Sequence, residues 1–297
     1  MIPNSKKVLV KMENALATGY GLIEGPVWDS ERGLLFSDVL NGGVFCLDQS
    51  GNVEQLIEHR KGIGGMALHE KGIVVGGRNI ALKAFDKNST QVLLDRDLNA
   101  HNVGYNDLTT DSDGRIYAGS LGSPVFDPKA AFQPGQLFLI DVDGSSRVVA
   151  EDVLLTNGLG FSPDGQTLYH SDSRRQAVFF YNVLSDGSLG AKLHFADIEK
   201  GSPDGLAVSS DGRVWVAIAG GGLVIVFDSE GNSVDSIDVP LPMVTSVCFG
   251  GDDLCDLFVV TGSDGTGDKN RGTVFRYAVD TPGLPIPISR VRTAKSI

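Results

Sequence analysis

The amino-acid sequence predicts an all-β chain folded as a six-bladed β-propeller with four antiparallel strands in each blade. Three observations carry this reading. A hairpin of two β-rich runs around a short polar turn recurs six times. The repeats are spaced by 40 to 51 residues, which is the period of a four-stranded blade. Across 297 residues no stretch keeps the apolar period of an amphipathic helix.

One stretch holds the hairpin in full. Asn157-Gly158-Leu159-Gly160-Phe161 opens a strand, Ser162-Pro163-Asp164-Gly165 turns it, and Leu168-Tyr169-His170-Ser171-Asp172 returns. Equivalent first strands begin at Glu24, Gly64, Asn106, Asp204 and Thr245. Second strands follow, as in Leu34-Leu35-Phe36-Ser37-Asp38 and Val214-Trp215-Val216-Ala217. Third strands are legible at Val44-Phe45-Cys46-Leu47, fourth strands at Val53-Glu54-Gln55-Leu56-Ile57. The last repeat meets Pro282, Pro285 and Pro287 where its fourth strand is due. Val8-Leu9-Val10-Lys11-Met12 stands unpaired before the first head. A strand near 8–12 is therefore expected to complete the last blade, making 1–297 one domain; the alternative is pairing by the tail at 288–291. The widest spacing, between Asn106 and Asn157, contains a Pro-rich insertion at 121–135, expected as a lid or pocket wall.

Composition narrows the partners. The net charge of -12, with no Lys/Arg cluster, argues against a nucleic-acid or anionic-membrane surface. Three cysteines without metal-type spacing read as buried thiols in a reducing compartment. No signal-peptide core or long apolar span is present. The expectation is a cytoplasmic monomer or small homo-oligomer acting on a small molecule.

In a propeller the first strand of each blade lines the central channel, so Glu24, Gly64, Asn106, Asn157, Asp204 and Thr245 should ring one mouth. Four of these heads carry carboxylate or carboxamide oxygens, and none is His or Cys. Crowding two carboxylates into a channel is costly without a cation, whereas a hard divalent ion wants such oxygens. One divalent metal on the axis is expected. Calcium is the first expectation, with zinc, magnesium, manganese or iron open; a thiolate structural zinc site is excluded. Second strands return to the same mouth and place Asp38, Arg78, Ser120 and Asp172 at its border. Asp38 and Asp172 read as acceptors behind the ligands, as substrate contacts, or as turn formers. His101 and His170 fall close by. No H-E-x-x-H, G-x-S-x-G or phosphate-loop pattern competes.

Taken in order, Glu24-Gly25-Pro26, Asn106-Asp107, Asn157-Gly158 with Ser162-Pro163-Asp164-Gly165, and Pro203-Asp204-Gly205 resemble the gluconolactonase, senescence-marker-protein and luciferin-regenerating-enzyme family. The resemblance implies metal ligands at Glu24, Asn157 and Asp204, with Asn106 as a further ligand or a substrate contact, and Asp204 as general base. It implies hydrolysis of a cyclic ester, the metal polarising the carbonyl and Asp204 assisting the attacking water. Two other readings share the architecture: a phosphotriesterase-type hydrolase like diisopropyl fluorophosphatase, and a non-catalytic calcium-binding regulatory propeller. One departure stands out. Family members often carry Arg two residues before the blade-three Asn, and here that position is Gly104. A sugar lactone is then the less secure substrate. Tyr105, Phe126 and Phe132 are expected to offer a less polar pocket, with Ser120, Asp172 and His101 as further substrate contacts.

Overall fold

Apolar residues fall on both faces of the second strands, so a single hairpin cannot bury them alone. Gly33–Asp38 is buried along its whole length, as is Val214–Ala219 up to Ile218. A sheet patterned this way needs a neighbour on each side, and closing six sheets into a ring supplies both. The computed structural model has this arrangement. It describes residues 11–293 except 59, 86–88, 126, 128 and 266, with side chains from residue 15 onward.

Six four-stranded antiparallel sheets surround a central channel. Their innermost strands are Ile23–Asp29, Met66–His69, Gly104–Thr110, Thr156–Phe161, Ser202–Val208 and Val244–Gly250, heading blades 1 to 6. Each blade runs outward in chain order except the last, whose outermost strand is Lys11–Tyr20, paired with Gly272–Ala278. This strand starts within the expected 8–12 segment and continues to Tyr20; Val8, Leu9 and Val10 lie outside the described residues. Among the described residues the only helices are two 3-10 turns, Leu98–Ala100 and Ser173–Arg175. None is long and apolar enough to cross a membrane.

The core is distributed rather than central. Six clusters of buried side chains sit one at each interface between neighbouring blades. Between blades 5 and 6, Trp215 meets Phe249 edge to face at 5.4 Å. Such a pair adds about 1 kcal/mol to its area burial.

The C-terminal tail does not pair as a fourth strand. It crosses the far mouth of the channel: Leu284 N donates to Val208 O, Ser289 N to Leu68 O, and Arg290 N to Gly114 O. His69 Nε2 lies 3.0 Å from Val291 O. Behind the tail is an apolar cavity of about 780 Å³, lined by Leu159, Leu206, Val208 and Phe249. The channel is thus closed by chain at one end, and the heads stand at the other.

Candidate active site

The heads are aimed by a shared backbone irregularity. In blades 3, 4 and 5 the strand register slips between Tyr105 and Leu108, Thr156 and Leu159, and Pro203 and Leu206. Two residues there oppose one on the second strand, which is a β-bulge, and bulges redirect side chains next to functional sites. Asn106, Asn157 and Asp204 are the first bulged residues. Glu24 stands immediately before the corresponding slip in blade 1. Blade 2 has an unbroken register and contributes no side chain at its head. A Cβ on Gly64 would run into Asn106 Oδ1, and one on Gly65 into Asp107 Oδ1. The glycines let the blade 3 heads lean across blade 2.

Hydrogen bonds rivet the ring at this level. Ser37 Oγ donates to Ile63 O at 2.7 Å, and Tyr105 N to Gly77 O at 2.7 Å. Asn106 Nδ2 donates to Thr156 O at 2.8 Å and to Asn157 Oδ1 at 2.6 Å. Asn157 Nδ2 donates to Ser173 Oγ at 2.7 Å, and Ser173 Oγ donates to Pro203 O. Thr245 Oγ1 donates to Ile23 O at 2.6 Å, closing the ring. Neither carboxamide can swing freely, because both amide nitrogens are committed.

The carboxylates are in the opposite condition. Asp204 is 4% exposed, and its Oδ1 is buried with no hydrogen-bond partner. Glu24 and Asp107 are partly exposed. Burial pushes Glu24 well above the usual carboxylate range, and the Asp204 and Asp107 charges push it further. Asp204 is raised well above that range by burial and then by Asp107. Asp107 is raised by burial to about 7, against the bond from Leu108 N at 2.7 Å. Among the described residues no Lys, Arg or His is ion-paired with any of the three. An unpaired buried carboxylate costs several kcal/mol.

Such a cluster fits a hard divalent cation. Glu24 and Asp204 supply anionic oxygens that lack a positive partner, and Asn157 Oδ1 keeps a second lone pair beyond its bond from Asn106. Among the described residues no group of three or more His, Cys, Asp or Glu is arranged to hold a metal. The donor set here instead mixes carboxylates with carboxamides.

Other expected site residues lie elsewhere. Tyr105 alternates with Asn106 along its strand, so it points away from the channel into the core between blades 2 and 3. It is 1% exposed and donates its hydroxyl to Asp95 O. Ser120 Oγ accepts from Gln136 N and ties two strands together. Asp172 accepts from Leu154 N, Leu155 N and Arg175 Nη1; Asp38 accepts from Gly21 N, Leu22 N and Asn41. Both anchor the chain as it enters a blade and do not front the pocket. His170 is fully buried, at 6.2 Å from the Tyr181 ring. His101 is exposed on the rim, in the left-handed conformation that ends Leu98–Ala100. Phe126 lies outside the described residues. Asp107 and Ser173 were missed by pattern reading; Asp107 was legible only as the second residue of a bulge that the hairpin alignment does not reveal. A Cβ on Gly104 would already sit 2.8 Å from Gly77 O, so the backbone bridge between blades 2 and 3 leaves no room there for an arginine.

The family described as "SMP-30/Gluconolactonase/LRE-like region" matches residues 22–263. The chain belongs to this family. Its relatives include a 6-deoxy-6-sulfogluconolactonase of Pseudomonas putida, 30% identical over 277 residues, covering 89% of this chain and 94% of the relative. A regucalcin of Gallus gallus is 32% identical over 292 residues, covering 93% and 97%. Among solved structures, a luciferin-regenerating enzyme superposes with a TM-score of 0.85 at 24% identity, covering 95% of this chain and 99% of that one. That likeness concerns the fold.

Proposed function

We propose that this protein is a divalent-metal-dependent lactonase. The carrying observation is the buried, unpartnered Asp204 Oδ1 beside Glu24 and Asp107. A relative of similar length named a 6-deoxy-6-sulfogluconolactonase supports the reaction class. The cation, calcium first, would be held by Glu24, Asn157 and Asp204, with Asn106 beside it. Bound there, it would supply Lewis-acid polarisation of the ester carbonyl.

The chain's own residues do the rest. Asp204 accepts a proton from the attacking water as the water oxygen bonds to the acyl carbon. The ring C–O bond then breaks, and the proton passes to the departing alkoxide, leaving a hydroxy acid. Asn106, with Nδ2 fixed by Thr156 O and Asn157 Oδ1, orients the substrate by its carboxamide. Ser173 holds Asn157 in the geometry that serves the site. Burial of Asp204 raises its affinity for the proton it takes from the water.

A second reading, a calcium-binding propeller without catalysis, draws support from the relative named regucalcin. Assay of the purified protein on a panel of five- and six-membered lactones, with and without added divalent ions, separates the two. Metal-stimulated hydrolysis of at least one lactone supports the enzyme. Tight calcium binding with a panel-wide absence of turnover supports the binder.

A further inference from the structure

Arg60, Arg78, Arg174 and Arg175 stand on connections between strands at the open mouth in different conditions. Arg60 is committed to Gly76 O, Asn79 O and Asn79 Oδ1. Arg175 is committed to Asp172 and Asp152. Arg78 is exposed, and among the described residues no ring lies beneath it. Arg174 is exposed, has no ion-pair or hydrogen-bond partner among the described residues, and lies over the Phe132 ring with its guanidinium carbon 4.6 Å from the centroid.

The position of this stack is fixed by its two anchors. Arg174 follows Ser173, whose hydroxyl joins Asn157 to the carbonyl of Pro203. Phe132 belongs to the 121–135 insertion, which leaves blade 3 beyond Leu121 and re-enters it at Gly135. Leu121 pairs with Gly104, two residues from Asn106. The guanidinium therefore joins the blade 3 insertion to blade 4 on the face that carries the heads.

Attraction to the ring face holds the guanidinium in place. It leaves the N–H donors free, and they match the paired oxygens of a carboxylate or a similar oxyanion. Below, the heads Glu24 and Asp204, with Asp107 beside them, set up to three carboxylates against one divalent cation and so offer a second anion no net positive charge. A lactone with a second, anionic group would thus be driven into one orientation, its charge at the rim and its ring carbonyl toward the heads.

We propose that Arg174, held on Phe132, is a substrate-binding residue that selects lactones bearing a second oxyanion, such as a carboxylate or sulfonate. The proposal rests on the lactonase reading and names its substrate class. It also supplies a cationic contact in a chain whose Gly104 carries none.

Galactono-1,4-lactone and galactaro-1,4-lactone test it, because they share a ring and differ in whether C6 is a hydroxymethyl or a carboxylate. The metal-loaded wild type should show the lower KM for galactarolactone. Arg174→Gln should raise that KM on the order of tenfold, with kcat and the neutral substrate unchanged within about twofold. Phe132→Leu should move KM the same way by less, since it removes the ring that holds the guanidinium and keeps the charge. Equal effects of Arg174→Gln on both lactones, or none on either, would overturn the assignment. If the wild type hydrolyses neither lactone, calorimetric binding of the product galactarate decides instead: weaker binding by Arg174→Gln supports the oxyanion site, and unchanged or absent binding overturns it.

Discussion

Two rings of acids surround the open mouth, and they differ in one respect. In the outer ring Asp38 and Asp172 end their second strands, and every oxygen is engaged: Asp172 alone receives two backbone amides and an arginine. In the inner ring Asp204 is buried nearly as deeply, yet one oxygen has no partner and the nearest charges are like charges. Equal burial therefore carries opposite meanings. A satisfied carboxylate stabilises the fold, whereas an unsatisfied one reserves its lone pairs for a ligand.

The contrast is most severely tested by neutralising one acid from each ring. Asp204→Asn should lower lactone kcat/KM roughly thousandfold while the protein stays folded, measured by steady-state kinetics beside a thermal melt. A near-wild-type rate would remove Asp204 from the chemistry. Asp172→Ala should do the reverse, costing about 4 kcal/mol in denaturant unfolding because it strands two amides and Arg175, with kcat per folded molecule unchanged. Loss of kcat without loss of stability would place Asp172 in the inner ring after all.

His170, two residues before Asp172, gives a further test, of stability alone. It is held neutral, its pKa lowered to about 4 chiefly by burial. The folded value lies below the ordinary one near 6.5, so between these pH values the unfolded chain binds the extra proton and the native state does not. Stability should therefore fall as pH drops through this window, by about 3 kcal/mol in total. Unfolding curves for His170→Asn should be correspondingly flatter between pH 6.5 and 4; an equal slope would assign the loss to other groups. Smaller again is the effect of ligand on stability. Calcium at a hundredfold over its Kd should stabilise the wild type by about 2–3 kcal/mol and Asp204→Asn by much less, read as a shift in Tm.

How legible these rings were depends on what spacing can encode. The blades were readable because both-face burial makes each second strand a short apolar run between turns, and the period repeats. Heads aligned at equivalent positions, and Asn106, Asn157 and Asp204 do share one bulge position. Tyr105, expected to make the pocket less polar where Gly104 leaves no arginine, is instead turned into the core by strand alternation. Asp107 escaped for the converse reason: a bulge breaks that alternation and brings a second residue toward the heads. Asp172 and Asp38 could not be separated from Asp204 by residue type or location. Their role depends on backbone amides of the entering chain, which only the folded arrangement brings to them.

The central claim is that the inner ring holds a divalent cation for lactone hydrolysis. Its most direct test is the rate of lactone hydrolysis by chelator-stripped protein as calcium is added back. The account predicts a fall to the uncatalysed rate on stripping and recovery that saturates at one ion per chain. Hydrolysis unaffected by stripping would contradict it.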